Sequence, residues 1–291
     1  MSIGYGMNAM KNYLTPYSNA GSAFSLNGKV ALAAFSLTAF CFTHSSHAET
    51  VVGTFADAYV KDGASAGSNT GSSNVLELAA RGVGNNRKIY QSYDLGSLTE
   101  TAFDGSFLSL SVQSVAGTVS ALNEDDNISI SIYGIVDSTP GFTEESITWS
   151  NAPKNDTSSW TSFVEIGTNV TALGTITIDA TAAGDGTLLV LQTEELENYL
   201  SWATGNLGDY YGTGATAAAG NIATIMIGMT AIDTPNDPLF RFYSSEGALA
   251  ADNAAYAPSL TVIPETSTAN YVFGLLGTGS LALWIRRRPR K

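Results

Sequence analysis

Three segments alternate apolar and polar residues with a period of two: Leu108-Ser109-Leu110-Ser111-Val112, Ile128-Ser129-Ile130-Ser131-Ile132 and Thr175-Ile176-Thr177-Ile178. Successive side chains of a strand point to opposite faces, so each segment predicts a strand with one buried face. Further strands are expected at 75–80, 88–94, 187–193, 223–229, 239–243 and 259–263, separated by Gly/Asn/Asp/Ser clusters such as 67–74, 122–126 and 183–186. Tyr59, Trp149 and Leu260 can each anchor a sheet, the latter two alternating with polar neighbours. Ala152-Pro153 is read as the end of the strand that carries Ile147-Thr148-Trp149, because proline cannot donate to a ladder. Many short strands without long helical pattern predict an all-β antiparallel sandwich. One helix is expected after Thr193, which can cap it. Glu194, Glu195 and Glu197 suit its positive end, Leu196, Tyr199 and Leu200 share a face, and Gly205 closes it. The Gly/Ala/Thr-rich stretch 206–220 reads as a mobile insertion loop. No internal repeat or linker divides residues 49–263, so one domain is expected there.

The ends follow other rules. Residues 30–42 are an apolar run preceded by Lys11 and Lys29 and followed by Ser46-His47-Ala48. A charged region, an apolar region and small residues ahead of a cut make residues 1–48 a secretory signal peptide cleaved after Ala48, with Met7 and Met10 as alternative starts to Met1. A buried core segment is the competing reading. At the other end residues 269–285 are apolar and uncharged, and Arg286, Arg287, Arg288, Arg290 and Lys291 follow. Such a run is a short transmembrane helix whose basic end stays cytoplasmic, leaving the body outside the inner membrane. Pro264-Glu265 stands just ahead of it. Pro-Glu, a glycine-bearing span and terminal arginines together resemble the PEP-CTERM sorting signal of bacteria, over residues 264–291. Thr266 departs from it where that signal has a second proline. The resemblance implies processing by an exosortase, after the signal peptidase, at the cell surface or extracellular matrix. A plain tail anchor is the alternative.

Composition then narrows the chemistry of the body. Residues 49–263 hold six basic residues against 25 acidic ones, a net charge of −19. Both histidines (His44, His47) and the one cysteine (Cys41) fall ahead of residue 49. A body without Cys or His excludes Ser-His-Asp and Cys-His catalysis, Cys/His zinc sites and disulfides. Its charge excludes nucleic acid, which needs a basic stripe. Glu144-Glu145 are adjacent and would point to opposite faces of a strand, so they do not form a glycosidase pair. The body is not expected to be an enzyme.

Several blocks occur in a telling order: Ala56-Asp57-Ala58-Tyr59-Val60-Lys61-Asp62-Gly63, Asn69-Thr70-Gly71-Ser72-Ser73-Asn74-Val75-Leu76, Arg87-Lys88-Ile89-Tyr90-Gln91-Ser92-Tyr93-Asp94-Leu95, Glu144-Glu145-Ser146-Ile147-Thr148-Trp149-Ser150-Asn151-Ala152-Pro153, and Phe242-Tyr243-Ser244-Ser245-Glu246 with Ala257-Pro258-Ser259-Leu260. Together they resemble the DNRLRE domain, also called carbohydrate-binding module family 96. The resemblance implies a secreted jelly roll that binds polysaccharide, with uronate-containing chains bound by some members. The insertion around 199–220 departs from the family.

Carbohydrate modules stack exposed aromatics on sugar faces. Trp160, in a polar run, and Tyr210-Tyr211, in the insertion, are the stacking candidates; Trp149 is expected in the core. Lys61, Arg87 and Lys88 match the cationic side chains that uronate-binding relatives use, and solvated strand-edge charges are the alternative. Repulsion from an acidic body could be bridged by Ca2+, for which Asp57, Asp62 and the Glu124-Asp125-Asp126 run offer hard oxygen ligands. Two functions stay open: a surface-sorted binder of polysaccharide, and an acidic structural spacer in the envelope or matrix.

Overall fold

The computed structural model describes residues 49–82, 84–99, 103–116, 127–137, 142–158, 164, 169–229 and 238–263. Leader, tail, Trp160, Asp125 and Asp126 lie outside these residues. Among them no helix is long and apolar enough to cross a membrane.

Among the described residues eleven strands carry the fold: β1 (Thr50–Gly53), β2 (Ala56–Lys61), β3 (Val75–Leu78), β4 (Arg87–Asp94), β5 (Phe107–Ala116), β6 (Asn127–Ile135), β7 (Val170–Asp179), β8 (Leu188–Leu191), β9 (Ile222–Met229), β10 (Leu239–Tyr243) and β11 (Ser259–Val262). One sheet runs in the order β1-β11-β5-β10-β3, with β8 also paired to β5; the other runs β2-β4-β9-β6-β7. The pairings are antiparallel. From β1 to β6 the chain changes sheet at every step, so sequence neighbours lie across the core from one another.

The alternating segments do as expected. In the β6–β7 pair, Ile128, Ile130 and Ile132 meet Ile178, Ile176 and Gly174, and the three β6 isoleucines are buried. They join Leu108 and Leu110 of β5 and Phe240 and Phe242 of β10 in one core between the sheets. Apolar area removed from water at about 25 cal/mol per Å² makes this inter-sheet layer the main stabilising term.

The β4 and β9 strands are buried on both faces, which a two-layer sandwich alone does not explain. Ile89 and Ile227 face the inter-sheet core, whereas Tyr90 and Met226 face the other way. That outer face is covered by the segment after β6. Ile147, Trp149 and Ala152 form a second cluster with Ala58, Val60 and Tyr90, and Phe142 meets Tyr90 edge-on at 6.0 Å. The strand expected at 147–149 is therefore absent: residues 144–152 are mainly turns. Asn151 makes them so. Its Oδ1 accepts from the Thr148 N–H at 2.7 Å and its Nδ2 donates to the Ser146 carbonyl at 2.9 Å, which closes the backbone on itself. Trp149 is buried as expected, in this covering layer instead of in a strand, and Pro153 ends no strand.

Helix α1 (Glu194–Ala203) starts where the sequence places it, with Thr193 Oγ1 accepting from the Leu196 N–H at 3.1 Å. Its Tyr199 hydroxyl reaches the backbone of β9, donating to Thr224 O at 2.8 Å and accepting from Thr224 N–H at 2.9 Å. The ring lies over Gly134 of β6, where a Cβ would come within 2.6 Å of it. Gly205 at φ +83° ends the helix in the left-handed region. The following insertion is tied down, unlike the free loop expected: Trp202 Nε1 donates to Ala215 O at 3.0 Å, and Ala215 and Ala218 are buried. A second short helix, α2 (Ser245–Ala250), follows β10 and is capped by Ser244.

Candidate functional site

Two places gather the residue types that sequence reasoning singled out. The first is the insertion beside α1. Trp202 is fully buried and stacks on Tyr199 at 5.7 Å. Tyr211 meets Trp202 edge-on at 5.8 Å, and Tyr210 meets Tyr211 edge-on at 4.9 Å. The four rings form a chain leading from core to surface. Tyr210 ends it, 54 % exposed. Tyr211 is half-buried between Tyr210 and Trp202, its hydroxyl pushed up to about 12 by desolvation. Asp209 shapes the turn, its carboxylate accepting from the Gly214 N–H at 3.0 Å.

The expected cations do not line up with this platform. Tyr211 bonds to Thr171 of β7, one edge of the five-stranded sheet, whereas Lys61 ends β2 at the other edge. Arg87 is ion-paired with Glu77 at 2.7 Å, and Arg241 bonds to the same carboxylate at 3.0 Å. Lys88 is only 3 % exposed: its ammonium donates to Asn155 Oδ1 at 2.6 Å and lies 4.6 Å from the centre of the Trp149 ring. Burial lowers Lys88 to about 8, against the opposing pull of Asp156 and Asp62. Neither Arg87 nor Lys88 is a solvated edge charge; Lys88 fastens the covering segment to β4. Arg81 donates to Ala116 O and Lys154 pairs with Asp137. Among the described residues, Lys61 is the basic group whose charge is left to solvent.

The second place is acidic. Asp57, Glu144 and Glu246 each bring a carboxylate oxygen within 4.8 Å of the others. Asp57 stands on β2, Glu144 on the covering segment and Glu246 in the first turn of α2. Glu144 accepts the Asp57 N–H at 2.8 Å. Asp57 Oδ2 accepts from Thr54 Oγ1 at 3.0 Å and from the Ser245 N–H at 2.9 Å. Desolvation raises the Asp57 carboxyl, the Ser245 N–H opposes, and Glu246 raises it further. Glu144 is raised for the same first reason, and then by the negative charges of Glu246 and Asp57. Of the ligands expected for calcium, Asp57 is here and Asp62 is elsewhere: its carboxylate accepts from the Gly84 N–H, the Asn86 N–H and Asn86 Nδ2 at 2.7–3.0 Å and clamps the turn before β4. Glu144 and Glu246, which complete the cluster, were not among the acids that sequence reasoning singled out. The available signal was that three of the blocks carrying the family resemblance each contribute one acid. Glu144 and Glu145 sit in a turn, not on a strand.

The chain belongs to carbohydrate-binding module family 96: the family model matches residues 48–203, more than half of its 291 residues. No curated protein matches the chain in sequence. β9, β10 and β11 lie beyond residue 203 yet hold interior positions in the two sheets, so the folded unit extends past the matched residues.

Proposed function

We propose that residues 49–263 are an exported, non-catalytic jelly-roll module that binds polysaccharide by stacking a sugar face on Tyr210. Membership in a carbohydrate-binding module family carries this reading; modules of such families are generally non-catalytic. The electrostatics favour an uncharged glycan over a polyuronate. A polyanion approaching a −19 body needs a basic patch, and Arg87, Arg241 and Lys154 are neutralised by acids while Lys88 is buried. Glu195 and Asp209 stand beside the platform and add to the repulsion. The apolar run ahead of Ala48 supports export, and Pro264-Glu265 with Arg286, Arg287 and Arg288 supports sorting to the cell surface by an exosortase.

Affinity electrophoresis of the protein in gels of neutral and of uronate polysaccharides tests the binding. A neutral glycan is expected to retard the chain, and Tyr210→Ala to weaken retardation about tenfold or more, the equivalent of about 1.4 kcal/mol, with Tm unchanged. Tyr211→Ala is expected to lower Tm as well, because its ring props the platform on Trp202. Equal retardation of Tyr210→Ala and parent refutes the platform. No retardation by any glycan leaves the acidic spacer as the function.

A further inference from the structure

The acidic cluster joins three parts of the chain that share no strand pairing: the start of β2, the covering segment and α2. Its charges are not balanced by protein. The ion pairs among the described residues use Glu77 and Asp137 and leave Asp57, Glu144 and Glu246 aside. Asp57 is 1 % exposed, and although its Oδ2 accepts two hydrogen bonds, its Oδ1 is buried with no donor. Glu246 Oε2 is buried without a donor too. A buried carboxylate oxygen without a partner costs several kcal/mol unless a proton or a cation meets it.

The surroundings are built to hold this cluster in place. Asn69 Nδ2 donates to Glu144 O at 2.6 Å and to Ile147 O at 2.9 Å, fixing the turn that carries Glu144. Gly71 lies so close under Glu144 that a Cβ there would overlap its carbonyl. Gly247 is pressed against the Asn74 carbonyl in the same way, and Ser244 Oγ donates to Ser73 O at 2.6 Å, so α2 is docked on the 69–74 turn. The carboxylates are therefore held together by the backbone despite their repulsion.

We infer that Asp57, Glu144 and Glu246 bind one Ca2+ ion that staples β2, the covering segment and α2 together. Three carboxylates supply hard oxygen donors and the negative charge a dication needs. Calcium accepts irregular sets of six to eight oxygens, which mixed mono- and bidentate carboxylates and water can complete; magnesium asks for a near-ideal octahedron that a site anchored at three remote points does not favour. Zinc is disfavoured by the absence of nitrogen and sulfur donors. The site differs from the tyrosine platform and makes no use of the glycan reading: glycan binding can fail while the ion binds, and the reverse.

The test uses the purified chain stripped with chelator and then titrated with CaCl2 or MgCl2. Calorimetry is expected to give one Ca2+ per chain. Saturation at a hundredfold excess over Kd should raise Tm by about 5–10 °C. Glu246→Gln, a substitution at a partly exposed position, is expected to abolish that rise. In chelator the same variant should melt at or above the parent, because one of three repelling charges has been removed. Asp57→Asn reports on the same ion but can fail to fold, so Glu144→Gln serves as the second variant and should also lose the calcium response. A Tm rise as large with magnesium overturns the assignment to calcium. No change in the parent between calcium and chelator, or an unchanged calcium response in Glu246→Gln, overturns the site.

Discussion

Lys88 gives the protein an alkaline stability rise that its acidic composition does not suggest. The ammonium sits between β4 and the covering segment, bonded to Asn155 Oδ1 and facing the Trp149 ring, with Asp156 and Asp62 the negative charges nearest to it. Burial brings it from 10.5 to about 8 in the folded protein. Between those two values the unfolded chain holds a proton that the folded chain has released, so stability increases with pH there. Below pH 8 both states are protonated and the charged group opposes folding by its full desolvation cost. Integrated from pH 7.5 to 9.5, the gain is at most about 2 kcal/mol, since one pKa unit is about 1.4 kcal/mol. The Trp149 ring favours the ammonium by about 1 kcal/mol and reduces the gain accordingly. For a domain of this size 1–2 kcal/mol is about 2–8 °C in Tm. The window closes near pH 9.5. Tyr90, Tyr93 and Tyr199 are fully buried and raised by desolvation, so their contribution is lost once unfolded phenols ionise near pH 10.

Calorimetric melting at intervals across that window, with Lys88→Met beside the parent, measures the effect. The parent Tm is expected to climb. The variant should be flat, and above pH 9, where the parent's amine is neutral and free of its desolvation cost, lower than the parent by the about 1–3 kcal/mol that an unmet Asn155 Oδ1 costs. A parent Tm that is flat or falls, or a methionine variant that keeps the slope, refutes the assignment of this proton to Lys88.

Two further outcomes follow from the geometry and the termini. Gly134→Ala should cost about 1–3 kcal/mol in urea unfolding, because the new methyl would come within 2.6 Å of the Tyr199 ring, and a change below about 0.5 kcal/mol would mean the ring does not seat there. Replacing Pro264-Glu265 with Ala-Ala should leave membrane insertion intact but trap an uncut precursor at the inner membrane, read by immunoblot of cell fractions; processing like the parent's would favour a plain anchor.

Local patterns carried much of the fold. The Ile-Ser-Ile repeat of β6 and the Thr193 cap of α1 are local devices, and each lies where its pattern indicates. What depends on a third layer was not legible. The β2 strand lacks a period of two because Ala58 and Val60 are covered by the 142–152 segment while Tyr59 faces the inter-sheet core, so both faces are apolar. Ile147-Thr148-Trp149 has strand alternation, but its hydrogen bonds go to Asn151 and Asn69 and not to a ladder. Charge was equally silent about place. Lys88 and Lys61 look alike in sequence, yet one is buried against Trp149 and the other ends an edge strand. The acids that meet at Asp57 come from segments at least 87 residues apart, which no local window relates.

The covering layer also limits where this scaffold can meet a glycan. Alternate strand residues on one sheet face would be the simplest binding surface, but on β2, β4 and β9 that outer face is occupied by Ile147, Trp149 and Ala152. Lys88, which could have contacted a uronate, is committed to holding the cover down. Aromatic surface is thereby displaced to the insertion, where Tyr210 is carried outward on Tyr211 and Trp202. That insertion lies beyond the residues 48–203 that match the family. On the proposed reading, the matched residues supply most of the framework and the insertion supplies the contact. The nature of the glycan is then set by a segment of about fifteen residues whose anchor points, Trp202 Nε1 on Ala215 O and Ala218 N–H on Ala203 O, tie it to the rigid end of α1.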